Sequence, residues 1–184
     1  MNKNVKRIIG ASFFVILLSA GFAWWSVTNS AGLNRPCAFC NDTVIQTHTF
    51  YEDELVRGMC THKPIAPGHC MIVVKRHVEN LDELTDEEFL ATGQLLQKIN
   101  TATQIVRGPS SYLILEKNGV EVGQTVPHVH VHFIPKNKTG SPISQFGFLW
   151  NFVANIFHRP IPIQELSKNV DVMKLAIEKS VDQS

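Results

Sequence analysis

His128, His130 and His132 stand two residues apart, alternating with Val129, Val131 and Phe133 and flanked by Pro127 and Pro135. In a β-strand, residues i, i+2 and i+4 share a face, with about 6.7 Å between neighbours. The three imidazoles therefore line one surface, while the apolar residues anchor the other in a core. Burying three imidazoles on one face costs desolvation unless partners or an anion compensate, so the row points to chemistry rather than packing. It can bind a metal, bind phosphate, or supply a nucleophile with adjacent acid and base groups. A second constellation, Cys37-x-x-Cys40, fits by itself a zinc half-site, a redox pair or a disulfide. Cys70 lies in an apolar run and reads as a small buried hydrophobe; Cys60 precedes a loop and receives no role.

The elements that must position these groups are short. β-Branched and aromatic stretches at 44–50 and 54–57 predict two antiparallel strands, and KPIAPGH (63–69) a Pro/Gly loop. CMIVVK (70–75) predicts a buried strand, SYLILE (111–116) another, and 126–134 the histidine strand. Thr85-x-x-Glu88 is a capping box opening a helix over 85–107, with Leu95, Ile99, Ala102 and Val106 at helical spacing and Gly108-Pro109 as its stop. A second helix is predicted over 163–179. Turns too short for repeated βαβ crossovers make the fold class α+β with an antiparallel sheet.

GQTVPHVHVHFIP (123–135) resembles the signature of the histidine-triad (HIT) hydrolases. Supporting segments follow in the family's order: RPCAFC ending at Cys40, FYEDELV at 50–56, PIAPGHCMIVVKRHVENLDELTDEE at 64–88 and NGVEVGQT at 118–125. The resemblance implies the HIT fold, with about five antiparallel strands, a long central helix and a C-terminal helix, and a homodimer. It implies His130 as nucleophile toward the α-phosphorus of a nucleoside phosphoramidate or dinucleoside polyphosphate, forming a covalent nucleotidyl-histidine. His132 would bind phosphate oxygens, His69 would complete the phosphate pocket, and Gln124 and Thr125 would contact phosphate and leaving group. It also implies a structural zinc held by Cys37, Cys40, His77 and His128, which would fix His128 beside the nucleophile; a disulfide between Cys37 and Cys40 is the alternative. Three positions depart from the family pattern: Thr61 replaces an Asp that binds ribose hydroxyls, Lys117 replaces an Asn, and Val74 replaces a Pro. The first two imply relaxed or altered nucleoside selectivity. The rival functions are a zinc-stabilised nucleotide- or protein-binding module without turnover, and a metal-dependent hydrolase using the triad as ligands.

Charge adds an address. The chain of 184 residues has a net charge of +1, which excludes an electrostatic binder of nucleic-acid polymers. Residues 1–32 hold Lys3, Lys6 and Arg7 and no acid, so the rest carries 14 basic against 16 acidic residues, a net of −2. An uncharged run of twenty residues at 8–27 follows the basic leader (1–7). It predicts a single-pass signal-anchor that places a HIT domain (37–184), after a linker at 28–36, on the non-cytoplasmic, periplasmic side. Secretion after leader cleavage is the alternative. The aromatic segment FGFLWNFVANIF (146–157) reads as core or dimer packing, or as an in-plane membrane contact.

Overall fold

A computed structural model describes residues 36–137, 142–155 and 159–181. The chain divides into the units Met1–Arg35 and Pro36–Ser184, and the described residues all belong to the second. After a 3₁₀ turn at Ala38–Cys40, the elements are α1 (Asp42–His48), β1 (Thr49–Glu52), β2 (Val56–Cys60), β3 (Cys70–Val74), α2 (Asp86–Arg107), β4 (Ser110–Leu115), β5 (His130–Asn137), α3 (Pro142–Asn155) and α4 (Ile163–Val181). Five strands form one antiparallel sheet in the order β1-β2-β3-β5-β4. This is the α+β architecture that the sequence predicts.

The sheet separates two environments. On one face Val56, Cys60, Cys70, Ile72, Val74, Val131 and Phe133 meet Leu95, Ile99 and Ala102 of α2 and Leu166, Val170, Met173, Ala176 and Ile177 of α4. Leu95 and Ile99 are almost wholly buried, each stabilising the fold by about 1.5–3 kcal/mol. Because side chains alternate along β5, Val131 and Phe133 facing the helices send His130 and His132 to the opposite face. There a smaller cluster of Phe39, Met59, Met71 and Val73 forms the floor.

α2 starts where its capping box predicts: the Thr85 hydroxyl accepts from Glu88 N–H, and the Glu88 carboxylate accepts from Thr85 N–H. It stops at Gly108, whose φ of 75° suits a residue without Cβ. The structure departs from the expected strands at two places. Residues 44–48, the first part of the strand predicted over 44–50, belong instead to α1, which Asn41 caps by accepting from Val44 N–H. The histidine strand is shorter than its alternation implies. Its ladder with β3 ends at Val73↔His130, so His128 lies just outside the sheet.

The expected localisation is corrected here. A single-pass anchor with a periplasmic domain, a secreted domain, and a membrane partner all required an apolar span. No helix among the described residues is long and apolar enough to cross a membrane. The two longest, α2 and α4, carry charged side chains along their length. The segment 8–27 itself lies outside the described residues.

Candidate active site and metal centre

Backbone groups decide which nitrogen of each histidine carries its proton. The His130 Nδ1 lies 2.6 Å from the His128 carbonyl. A carbonyl only accepts, so Nδ1 carries the proton and Nε2 is left with a lone pair. The Ile65 N–H donates to His69 Nδ1 at 3.0 Å, which places the His69 proton on Nε2. That Nε2 lies 2.9 Å from His132 Nδ1 and donates to it. His132 is thereby left with an Nε2–H donor. One lone pair and one N–H donor therefore stand on neighbouring rings, whose centroids are 4.9 Å apart.

Burial keeps these rings uncharged. His130 and His69 are each 5% exposed. Desolvation, reinforced by the His130 ring, holds His69 down at about 4. Desolvation first, then His130, His69 and Lys117, bring His132 down to about 2. Burial also lowers His130, with His128 and Lys117 adding to it and the bond to the His128 carbonyl opposing. A neutral imidazole is a nucleophile; an imidazolium is not.

His128 belongs to a second constellation. Its ring is fully buried, and Nε2 lies 2.6 Å from the Val74 carbonyl, so Nε2 donates and Nδ1 presents a lone pair. Around that lone pair stand Cys37 Sγ at 3.3 Å, Cys40 Sγ at 3.7 Å and His77 Nδ1 at 3.2 Å. Cys40 Sγ and His77 Nδ1 are 3.5 Å apart, and all four atoms lie within 4.8 Å of one another. Ligands at about 2.0–2.3 Å from a tetrahedral zinc stand about 3.3–3.8 Å from each other, so both donor set and spacing fit that ion. Cys37 and Cys40 are free thiols. Burial, then the adjoining Cys37, push Cys40 up to about 11, so a bound cation would be needed to hold it as a thiolate. Val74, where the family pattern has Pro, contributes the carbonyl that orients His128, which any residue type there can supply.

The structure therefore brings His69, His130 and His132 into one site and Cys37, Cys40, His77 and His128 into another, joined through His128. Gln124 is placed differently from Thr125. Its Oε1 accepts from Gly119 N–H at 2.8 Å and its Nε2 donates to the Glu79 carbonyl at 2.9 Å, so its amide braces the 119–124 loop. Thr125 is exposed. Of the departures from the family pattern, Thr61 is 9% exposed and its hydroxyl accepts from Lys63 N–H at 3.2 Å. Lys117 donates to the Gly123 carbonyl at 3.3 Å.

Two contributors escaped the sequence reading. Phe39, between the two cysteines, packs its ring 5.0 Å from His130 and 5.7 Å from His128. Its place inside C-x-x-C was the available signal. Arg76 grips Glu88 through Nε at 2.9 Å and Nη2 at 2.7 Å, and Nη2 also donates to the Glu83 carbonyl. This ties the segment carrying His77 to the start of α2, and nothing in the spacing of Arg76 and Glu88 announces it.

Comparison with known proteins agrees with this geometry. The family model for the HIT domain matches residues 42–139. The chain is 36% identical over 94 residues to a bis(5'-nucleosyl)-tetraphosphatase [asymmetrical] of Schizosaccharomyces pombe, a match covering 51% of this chain and 52% of that protein. It thus spans about half the length of that relative. Against the protein named Protein hit of Bacillus subtilis, identity is 31% over 136 residues, covering 73% of this chain and 91% of the other. A solved zinc-bound histidine triad family protein from Mycobacterium smegmatis shares the fold, with a TM-score of 0.55 at 19% identity over 87% of this chain and 96% of that one.

Proposed function

The chain belongs to the HIT family, and from that premise we propose that it is a hydrolase cleaving a nucleoside phosphoramidate or dinucleoside polyphosphate at the α-phosphate, through a nucleotidyl-histidine on His130. One observation carries the reading: the His128 carbonyl accepts a hydrogen bond from His130 Nδ1–H, which keeps the proton there and leaves Nε2 free to attack. Relatives named as nucleosyl-tetraphosphatase and adenosyl-triphosphatase support the substrate class.

In the first step the Nε2 lone pair bonds to the α-phosphorus and the bond from phosphorus to the leaving amine or phosphate breaks. His132 donates its Nε2–H to the phosphate oxygens as negative charge builds. His69 holds that proton in place and completes the phosphate pocket. Water then attacks the phosphorus and gives up a proton to solvent, balancing the one that the leaving amine or phosphate took up in the first step; the P–N bond breaks, and Nε2 recovers its lone pair as the nucleoside monophosphate departs. Gln124 holds the loop from which Thr125 offers its hydroxyl to the phosphate and leaving group.

Cys37, Cys40, His77 and His128 would hold zinc in a site closed by four protein ligands. Such an ion supplies structural cross-linking rather than an activated water. It would fix Phe39 and His128 beside the nucleophile. A homodimer is supported by the outer edge of β4, where Tyr112, Leu113 and Ile114 expose 45%, 39% and 36% of their surfaces.

The test is rapid quenching of the enzyme with α-labelled diadenosine tetraphosphate and with adenosine 5'-phosphoramidate. An alkali-stable, acid-labile label on His130 is expected, and His130→Ala should lose at least about 10³-fold in kcat. Substantial turnover by His130→Ala would overturn the mechanism. Binding without turnover by the intact chain would establish the binding-module alternative instead.

A further inference from the structure

Cys60 and Cys70 face each other across β2 and β3. The kind of pair they form follows from the ladder. Lys75 N–H donates to the Leu55 carbonyl at 2.8 Å, and these residues continue the register Val56↔Val74, so 55 and 75 form a hydrogen-bonded pair. Antiparallel pairs alternate. Arg57↔Val73 and Met59↔Met71 are then hydrogen-bonded, while Val56↔Val74, Gly58↔Ile72 and Cys60↔Cys70 are not. Residues in non-hydrogen-bonded pairs approach most closely, with Cα atoms about 4.5 Å apart, inside the range of about 4.4–6.8 Å that a disulfide spans. Both cysteines lie on the helix-facing side of the sheet with Ile72 and Val74.

The pair also has an approach route. Although buried in the sheet, both residues line a cavity of about 440 Å³ beneath the 63–69 loop, walled by Thr103 and Arg107 of α2 and Met173 of α4. A hydroperoxide fits that space. We infer that Cys60 and Cys70 are an oxidisable dithiol that closes to a cross-strand disulfide, a covalent modification that pins both ends of the loop carrying Thr61 and His69.

The chemistry balances with hydrogen peroxide as oxidant. The Cys60 sulfur attacks the peroxide, an S–O bond forms as O–O breaks, and one water leaves, giving a sulfenic acid. The Cys70 sulfur then attacks the Cys60 sulfur, S–S forms as S–O breaks, and a second water leaves. The two thiols lose two hydrogens and the peroxide is reduced to two waters. Burial pushes the Cys60 thiol up to about 12 and raises Cys70 as well, so little thiolate is present and closure is slow.

Trypsin supplies the assay. Lys63 is followed by Pro64, so cleavage at Arg57 and Lys75 releases 58–75 as one peptide containing both cysteines. After treatment of the zinc-loaded full chain with hydrogen peroxide, quenching by alkylation should leave this peptide unalkylated and lighter by two hydrogens, a change reversed by dithiothreitol. The oxidised chain should melt about 4 °C or more above the reduced one, and Cys60→Ser should abolish that gain. A peptide that still takes two alkyl groups, that carries sulfinic acid instead, or that is joined to Cys37 or Cys40 would overturn the inference. The mapping needs no catalytic activity, so it stands or falls independently of the proposed hydrolysis.

Discussion

Thr61→Asp tests how this chain treats the sugar of its substrate. Thr61 stands where sequences of the form D-x-x-P-x-A-P-G-H carry the Asp that binds ribose hydroxyls. In this structure its hydroxyl already accepts from Lys63 N–H at 3.2 Å and the residue is only 9% exposed. The hydroxyl closes a local turn and keeps its single O–H donor, but it lacks the charge and the two oxygens with which an Asp grips a ribose. An Asp can make the same turn with one carboxylate oxygen, since Asx and Ser/Thr turns share that geometry, and can present the second to the sugar. A hydrogen bond to a charged group contributes about 1.5–3 kcal/mol. Holding a carboxylate at so enclosed a position offsets about 1 kcal/mol of this. The net of about 0.5–2 kcal/mol corresponds to about 2- to 30-fold.

The assay is the ratio of kcat/KM for an adenosine 5'-phosphoramidate to that for its 2',3'-dideoxy analogue. The wild-type ratio should lie within about 3-fold of unity, and the Thr61→Asp ratio should rise by about 2- to 30-fold. A strong ribonucleoside preference in the wild type would refute the relaxed-selectivity reading. An unchanged ratio in a variant that folds normally would show that position 61 does not meet the sugar.

Glu88→Ala removes the acid that both caps α2 and receives Arg76. Denaturant unfolding should show a loss of about 2–4 kcal/mol, and a loss below about 0.5 kcal/mol would deny the network any structural weight. Because the Arg76 guanidinium holds the Glu88 carboxyl below the usual range, the wild-type advantage should be complete above the unfolded carboxyl value of about 4.3 and shrink as pH falls through the lower folded value. Purified chain should carry one zinc by mass spectrometry, and chelation should make Cys37 and Cys40 rapidly alkylatable while lowering turnover less than His130→Ala does. Equal alkylation rates with and without added zinc would remove the metal centre.

What the sequence revealed depended on whether the determining partner was near in the chain. The capping box Thr85/Glu88 and the stop at Gly108 are local signals, and α2 follows them residue for residue. α1 misled because Thr43, Val44 and Ile45 carry β-branched composition, while one side-chain bond from Asn41 decides the backbone. His130 and His132 were readable as a pair because period two places them on one face, whereas His69 joined them only through the family resemblance. Arg76 with Glu88 was not, since the contact exists only once the segment after β3 has turned back over the start of α2. The tautomers were out of reach for the same reason: each is set by a backbone group, at Ile65, Val74 or His128, whose position only the fold supplies.

The departure at His128 explains why the alternating row works as a site. Were the strand regular from 126 onward, the three imidazoles would be equivalent neighbours on one face, and nothing would assign them different protons. Because the ladder with β3 ends at His130, the His128 carbonyl accepts from the His130 ring instead of serving the sheet. The same break lets the His128 ring drop into the core, bond the Val74 carbonyl and turn its other nitrogen toward Cys37, Cys40 and His77. One interruption of the ladder thus separates the proposed metal ligand from the proposed nucleophile two residues away. A sequence that extended β3 pairing through His128 would keep all three histidines and lose the free lone pair on His130.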